Sequence, residues 1–284
     1  MITDWRTNKI YFSNLLKLDY PETCSEIENI LKSYNIKSNF LPETRDIWAR
    51  DFMPIQVTED KFVEYRYDPD YLQGIIIGSR ELKTYSDIVC DSIGLKTLKS
   101  DIILDGGNIV KSSNTVILTD KIIEENKYHY KKKQLLDKLR ETFEVDNVVL
   151  IPWDYDCDFG HSDGMLRFIN EDTVLISGFY ETADLYLKER MLKSLKNSKL
   201  NWEWLRCSNK EENEQNIAYI NFLQTKDLIL VPKLNVQKED KVAFEQIANY
   251  YSDYAKINRI AQVDMSKIVK LGGALNCISW TIKE

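Results

Sequence analysis

The stretch Leu104-Asp105-Gly106-Gly107-Asn108-Ile109-Val110-Lys111-Ser112-Ser113-Asn114-Thr115-Val116-Ile117-Leu118-Thr119 joins a polar, glycine-rich motif to a β-branched run broken by a short polar turn. The run reads as a hairpin, because β-branched side chains suit a pleated surface while Ser, Asn and Lys suit the turn. The same order of motif and hairpin recurs along the chain. Trp48-Ala-Arg-Asp51 precedes residues 52–65, Gly160-His161-Ser-Asp163-Gly164 precedes 165–177, and Ala218-Tyr-Ile-Asn221 opens 219–231. A last motif, Gly272-Gly-Ala-Leu-Asn-Cys277, is followed only by residues 278–284, too few for a hairpin of their own. With Asp51, Asp105, Asp163, Asn221 and Cys277 as markers, the intervals are 54, 58, 58 and 56 residues. Such spacing predicts a repeated structural unit whose polar residues share one pocket.

Helical patterns lie between the hairpins. Residues 21–34 begin with Pro21-Glu22 and carry Ile27, Ile30 and Leu31 at helical spacing. Similar segments cover about 86–93, 125–143, 182–195 and 240–254. The unit therefore contains strands and one helix, about five times over, and the fold class is α/β. The N-terminal run Lys9-Ile-Tyr-Phe-Ser-Asn-Leu15 supplies the strand missing after the last motif, which closes a ring by joining the chain ends and removes open sheet edges. No Gly/Ser or Pro linker interrupts the chain, so residues 1–284 are expected to form one domain.

Composition narrows the function. The 284 residues include 43% hydrophobic and 29% charged side chains, ordinary for a globular protein with a sizeable core. A net charge of −7 argues against a nucleic-acid surface. The basic run Lys127–Lys138 reads as the solvated face of a helix. No apolar stretch is long enough to span a bilayer, and Met1-Ile-Thr-Asp-Trp-Arg lacks the regions of a signal peptide. Five cysteines, odd in number and without a CxxC pair, fit free thiols in a reducing compartment, and a cytoplasmic location is expected. The sequence sets no oligomeric state, and a homo-oligomer is compatible with it.

Several residues have chemical potential. Cys277 follows Gly272-Gly273; a free Cys is commonly buried and inert, but flanking glycines permit close approach of a ligand. Cys24, Cys90 and Cys207 lack such surroundings and read as structural. His161, one of two histidines, is two residues from Asp163, which in an extended segment puts both side chains on one face and makes general acid/base work credible. Asp51 beside Arg50, Asp105 before a Gly-Gly turn, and Asn221 within an apolar strand each have an ordinary structural explanation when taken alone. The acidic run Asp154-Tyr-Asp156-Cys-Asp158-Phe-Gly160-His161 fails as a calcium loop, since Met165 stands where the bidentate Glu belongs. Two distant histidines do not make a zinc site, and no nucleotide-binding glycine motif is present. No metal or organic cofactor is expected.

Together, Trp48-Ala-Arg-Asp51, Asp105-Gly-Gly-Asn108, Gly160-His161-Ser-Asp163 and Gly273-Ala-Leu-Asn-Cys277 resemble the agmatine deiminase and bacterial peptidylarginine deiminase family, over about residues 9–280. The resemblance implies the guanidine-modifying (pentein) fold, a five-bladed pseudo-symmetric α/β propeller. It also implies Cys277 as nucleophile, His161 as general acid/base, and Asp51 and Asp163 as carboxylates gripping a guanidinium, with Asn221 a further pocket residue and Trp48 at the substrate. The sequence departs from the pattern at Asp105, where agmatine-specific relatives carry Glu, and at Asn276, where many carry His.

The residue types suit that reaction independently. Carboxylates pair with a planar, donor-rich guanidinium, leaving its central carbon open to a thiolate. Hydrolysis then releases ammonia and a ureido product. Agmatine or another small guanidine is the expected substrate, its charged tail received by the acidic and aromatic stretch 153–159. A substrate carboxylate would instead call for Arg50, Arg66 or Arg167. Arginine or peptidylarginine hydrolysis, amidine transfer on the same scaffold, and a non-catalytic guanidine-binding protein are the alternatives.

Overall fold

The computed structural model describes residues 1–74, 80–157, 159–182, 184–206 and 218–284. The chain begins with β1 (Lys9–Ser13), α1 (Asn14–Asp19), α2 (Pro21–Ser33) and β2 (Ser38–Leu41). The short helix α3 (Ala49–Phe52) then introduces β3 (Ile55–Gln56), β4 (Phe62–Arg66), α4 (Ser86–Ser92) and β5 (Leu98–Ile103). Next come β6 (Val110–Lys111), β7 (Thr115–Thr119), α5 (Lys121–Asn126), α6 (Lys132–Phe143) and β8 (Asn147–Ile151). The fourth stretch is β9 (Leu166–Phe168), β10 (Thr173–Ser177), α7 (Phe179–Thr182), α8 (Leu185–Asn197) and β11 (Asn201–Leu205). The chain ends with β12 (Leu223–Gln224), β13 (Ile229–Lys233), α9 (Gln237–Tyr250), α10 (Ser252–Lys256), β14 (Ile260–Asp264) and β15 (Ser279–Ile282).

Among the described residues these strands form five three-stranded sheets: β15-β1-β2, β3-β4-β5, β6-β7-β8, β9-β10-β11 and β12-β13-β14. In every sheet the middle strand pairs antiparallel with one neighbour and parallel with the other. A parallel partner requires a crossover, which the helices supply. The middle strands β7, β10 and β13 read as nearly continuous apolar runs, as in the wholly buried Thr115–Thr119, because both faces are covered. The first and last strands of the chain pair with each other, Tyr11 opposite Trp280, as the short C-terminal segment required.

Helices bury one stripe each. In α2 it is Thr23, Cys24, Ile27 and Leu31; in α8 it is Leu187, Met191 and Leu195. The helix expected over 125–143 is instead two, α5 and α6. The buried Asn126 turns aside to accept from the Ile103 amide (2.9 Å) and donate to its carbonyl (2.8 Å), which ends α5 against the edge of β5. Likewise 182–195 is divided between α7 and α8, where Asp184 caps α8 by accepting from the amides of Tyr186 and Leu187. The stretch 240–254 is divided between α9 and α10. The exposed lysines of α6 form the solvated face foreseen for the basic run.

Four motifs lie at the same point of their units, just before a hairpin's first strand, and the last lies just before β15. Trp48–Asp51 enters α3, Gly106–Asn108 and Ser162–Gly164 are single 3-10 turns, and residues 218–220 form another. Gly272, at φ 96, starts the turn that leads to Cys277. Among the described residues, no helix is long and apolar enough to cross a membrane.

Candidate active site

The motif turns bring their polar side chains into one buried cluster. On one side are Cys277, Asp163, Asn221 and Asn276. Cys277 Sγ lies 3.6 Å from Asp163 Oδ2, and its amide donates to Asn221 Oδ1 (3.2 Å). The same Asp163 oxygen accepts from Asn221 Nδ2 (3.2 Å) and Asn276 Nδ2 (2.6 Å). Arg50, also buried, donates from Nη2 to Asn276 Oδ1 (3.0 Å), while its amide donates to the Cys277 carbonyl (3.0 Å). A polar chain thus runs from Arg50 through Asn276 to Asp163.

On the other side stand His161, Asp51 and Asp105. His161 Nε2 is 3.0 Å from Asp105 Oδ2, and its Nδ1 is 3.7 Å from Asp51 Oδ1. Asp51 Oδ1 also accepts from the Gly107 amide (3.0 Å). The two glycines after Asp105 are explained by crowding. A Cβ at Gly107 would lie 2.5 Å from His161 Nδ1 and 2.6 Å from Asp51 Oδ1, and one at Gly106 would overlap the Arg50 carbonyl. Trp48 is half-buried and covers Gly273, where a Cβ would lie 2.5 Å from its ring and 3.0 Å from Cys277 Cβ.

Electrostatics follow from packing carboxylates in a dry place. Burial, opposed by His161 and aided by Asp105 and Asp163, pushes the Asp51 carboxyl up to about 8. Burial works against the charged form of His161, but Asp51 and the hydrogen-bonded Asp105 outweigh it and raise the imidazole to about 10. Burial, then the negative charges of Asp163 and Asp51, hold the Cys277 thiol well above the usual thiol range. Glu125 on α5 is pushed up to about 8 by burial and by Asp105, and Asp46 to about 7 by burial. The site holds excess carboxylate, and a thiolate there needs an added positive charge.

His161 and Asp163 share a motif but not an extended segment. His161 precedes the 3-10 turn Ser162–Gly164, so its ring meets Asp51 and Asp105 while Asp163 meets Cys277. The shorter carboxylate of Asp105 still reaches the imidazole, although its Oδ1 is buried without a hydrogen-bond partner. Of the three arginines considered for a substrate carboxylate, Arg50 is engaged by Asn276. Arg167 donates to Asp4 (2.7 Å) and the Phe222 carbonyl (2.7 Å), and Arg66 pairs with Asp68 (2.8 Å). The aromatic stretch already meets a cation of the chain itself: buried Lys121 Nζ lies 5.3 Å from the rings of Trp153 and Tyr71, 2.9 Å from Asp70 and 3.0 Å from the Phe159 carbonyl. Asp158 and Cys207 lie outside the described residues. Cys24 and Cys90 are buried free thiols remote from the site. Among the described residues no group of three His, Cys, Asp or Glu side chains is arranged to hold a metal ion.

Sequence reasoning missed Tyr71, whose hydroxyl donates to Asp105 Oδ2 (3.0 Å), and read Phe159 only as the end of a tail-receiving stretch, whereas its ring centroid is 6.0 Å from that of His161. Neither stands in a recurring motif, so periodicity carried no signal for them.

The sequence profile described as Porphyromonas-type peptidyl-arginine deiminase matches residues 18–282. No curated protein matches the chain by sequence. Solved structures similar to it include a substrate-bound variant of C. jejuni agmatine deiminase, 19% identical, with a TM-score of 0.76, covering 100% of this chain and 96% of that one. Agmatine deiminase of Enterococcus faecalis is 17% identical, with a TM-score of 0.72 and coverage of 100% and 95%. A more distant likeness is the Pseudomonas aeruginosa dimethylarginine dimethylaminohydrolase complexed with citrulline, 14% identical, with a TM-score of 0.58 and coverage of 97% and 99%.

Proposed function

Since the chain belongs to the Porphyromonas-type peptidyl-arginine deiminase family and is a guanidine-group C–N hydrolase, we propose that it deiminates agmatine or a closely related small guanidine. The observation that carries this reading is the excess of buried carboxylate around one thiol and one imidazole. A guanidinium supplies the missing cation and presents donors in a plane that Asp51 and Asp163 can grip from two sides. Arg50, Arg66 and Arg167 are each engaged by the chain's own groups, so none of these three is left to receive a substrate α-carboxylate. That favours agmatine over arginine, in keeping with the named activity of the C. jejuni and E. faecalis relatives.

The chemistry runs through the chain's own residues. The bound guanidinium offsets the negative field of Asp163 and Asp51, so the Cys277 thiol loses its proton to solvent and the thiolate attacks the central carbon. His161 starts as an imidazolium and gives its proton to the departing nitrogen, which leaves as ammonia. The neutral imidazole then takes a proton from water. The resulting hydroxide attacks the thiouronium carbon; as the C–S bond breaks, the new hydroxyl gives its proton to the departing sulfur, and a ureido product leaves with the Cys277 thiol and the His161 imidazolium restored. Asp105 holds the imidazolium, and Asn221 and Asn276 orient Asp163. No cofactor is required for any step. The pairing of the first and last strands supports closure of the five sheets into a propeller, with the site at its centre.

The test is a panel of agmatine, arginine, peptidylarginine and simpler guanidines scored for ammonia and ureido product, with Cys277→Ala alongside. Agmatine turnover far above that of arginine, lost in Cys277→Ala, is expected. Comparable rates on both substrates refute the substrate assignment, and unchanged ammonia release by Cys277→Ala refutes the nucleophile.

A further inference from the structure

Tyr71 stands on the 3-10 turn Asp70–Leu72, outside every recurring motif. Its hydroxyl donates to Asp105 Oδ2 at 3.0 Å, the oxygen that also lies 3.0 Å from His161 Nε2. Its ring stands edge-on to Phe159 (centroids 5.1 Å apart, 86°) and 6.3 Å from the His161 ring. The turn that carries it is tied down: Asp70 Oδ1 accepts from the Tyr71 amide (2.9 Å) and from Lys121 Nζ (2.9 Å). The same Lys121 donates to the Phe159 carbonyl (3.0 Å), so one buried ammonium links the turn bearing Tyr71 to the segment bearing His161.

We propose that Tyr71 is a positioning residue for the acid/base pair: by sharing one oxygen of Asp105 with His161, it limits how strongly that carboxylate holds the imidazolium. The inference rests on the acid/base role given to His161 above. The physical reason is competition for charge density. A carboxylate oxygen that accepts a phenol hydrogen bond is a weaker acceptor for a second donor, and Asp105 has no donor on its other oxygen. An imidazolium held too tightly is a poor acid, slow to give its proton to the departing nitrogen, even though the imidazole left behind takes a proton from water readily. Tyr71 thereby balances the ammonia-releasing half of the cycle against the hydrolytic half. The other groups that face His161 are Asp51 from α3, Asp163 from its own turn, and Glu125 with its partner Lys121 from α5; Tyr71→Phe alters none of these side chains, and besides Asp105 it releases the hydroxyl of Tyr67.

The chain has two histidines, and His129 lies on an exposed turn, so it serves as an internal reference. The experiment is an NMR titration of both imidazoles in the full-length wild type and in Tyr71→Phe, which keeps the ring beside Phe159. The expected result is an upward move of the His161 titration by about one pH unit with His129 unmoved. The shift should reappear in the alkaline limb of the kcat profile, with KM nearly unchanged. A folded Tyr71→Phe whose His161 titrates as in the wild type overturns the proposal. Should Tyr71→Phe fail to fold, a fluorinated tyrosine placed at position 71 keeps the ring and makes the phenol a stronger donor; it is expected to lower the His161 titration, and no shift is equally fatal. Because the titration needs no substrate, it distinguishes failure of this inference from failure of the deiminase reading.

Discussion

Replacing Gly107 by alanine tests the geometry of the site through a single methyl group. A Cβ there would lie 2.5 Å from His161 Nδ1 and 2.6 Å from Asp51 Oδ1, whereas ordinary contact begins at 3.4 Å, so each neighbour must retreat by about 0.8–0.9 Å. Neither retreats freely. Asp51 is tied to the Gly107 amide itself, and His161 is tied through Nε2 to Asp105. Overpacking of this kind costs about 1–3 kcal/mol, which for a chain of this size lowers Tm by roughly 2–4 °C per kcal/mol. A displacement near 1 Å at reacting groups costs on the order of 10²-fold in rate. We therefore expect Gly107→Ala to fold, to melt several degrees lower, and to lose about two decades of kcat in a steady-state ammonia assay. Gly74→Ala is the control, since no atom lies within 4 Å of its added methyl. A Gly107→Ala enzyme with wild-type kcat/KM and an unchanged Tm would show that His161 and Asp51 do not act where the structure places them.

The remaining expectations concern charge and connectivity. Asp51 has a folded pKa of about 8, raised above its unfolded value, so the stability it contributes is present at acid pH and is lost as pH rises towards 8. Asp51→Asn, which has no proton to lose, should gain in Tm relative to the wild type between about pH 5 and 9 while losing turnover; parallel melting curves across that range would count against it. Asn276→Ala strips a buried partner from both Arg50 and Asp163, at about 1–3 kcal/mol, and should raise KM for agmatine more than it lowers kcat. Adding Arg50→Gln to that variant should cost less than Arg50→Gln alone, and strictly additive effects in the double-mutant cycle would refute the Arg50–Asn276–Asp163 chain.

Much of the site was legible before the structure. Asp51, Asp105, Asp163 and Asn221 lie at the start of a repeated hairpin and Cys277 just before the last strand, and the structure gathers all five into one site, Asp51 and Asp105 beside His161 and Asp163 and Asn221 beside Cys277. The reading of His161 and Asp163 as same-face neighbours failed because a 3-10 turn intervenes. The division of the 125–143 helix was hidden for a related reason. Asn126 bonds the backbone of Ile103, 23 residues away, and no helical periodicity encodes such a partner.

By itself the sequence determined the unit: a polar turn, a hairpin with a continuous apolar middle strand, then a helix with one apolar stripe. These are local properties, set by side-chain period and backbone preference within a dozen residues. Tertiary structure decided which groups act on which. Arg50 reaches Asn276 across 226 positions, Cys277 meets Asp163 across 114, and Tyr71 shares Asp105 with His161 from outside the repeat. It also decided the charges, because Asp51 and Cys277 owe their shifts chiefly to burial, which exists only once the five sheets are packed together.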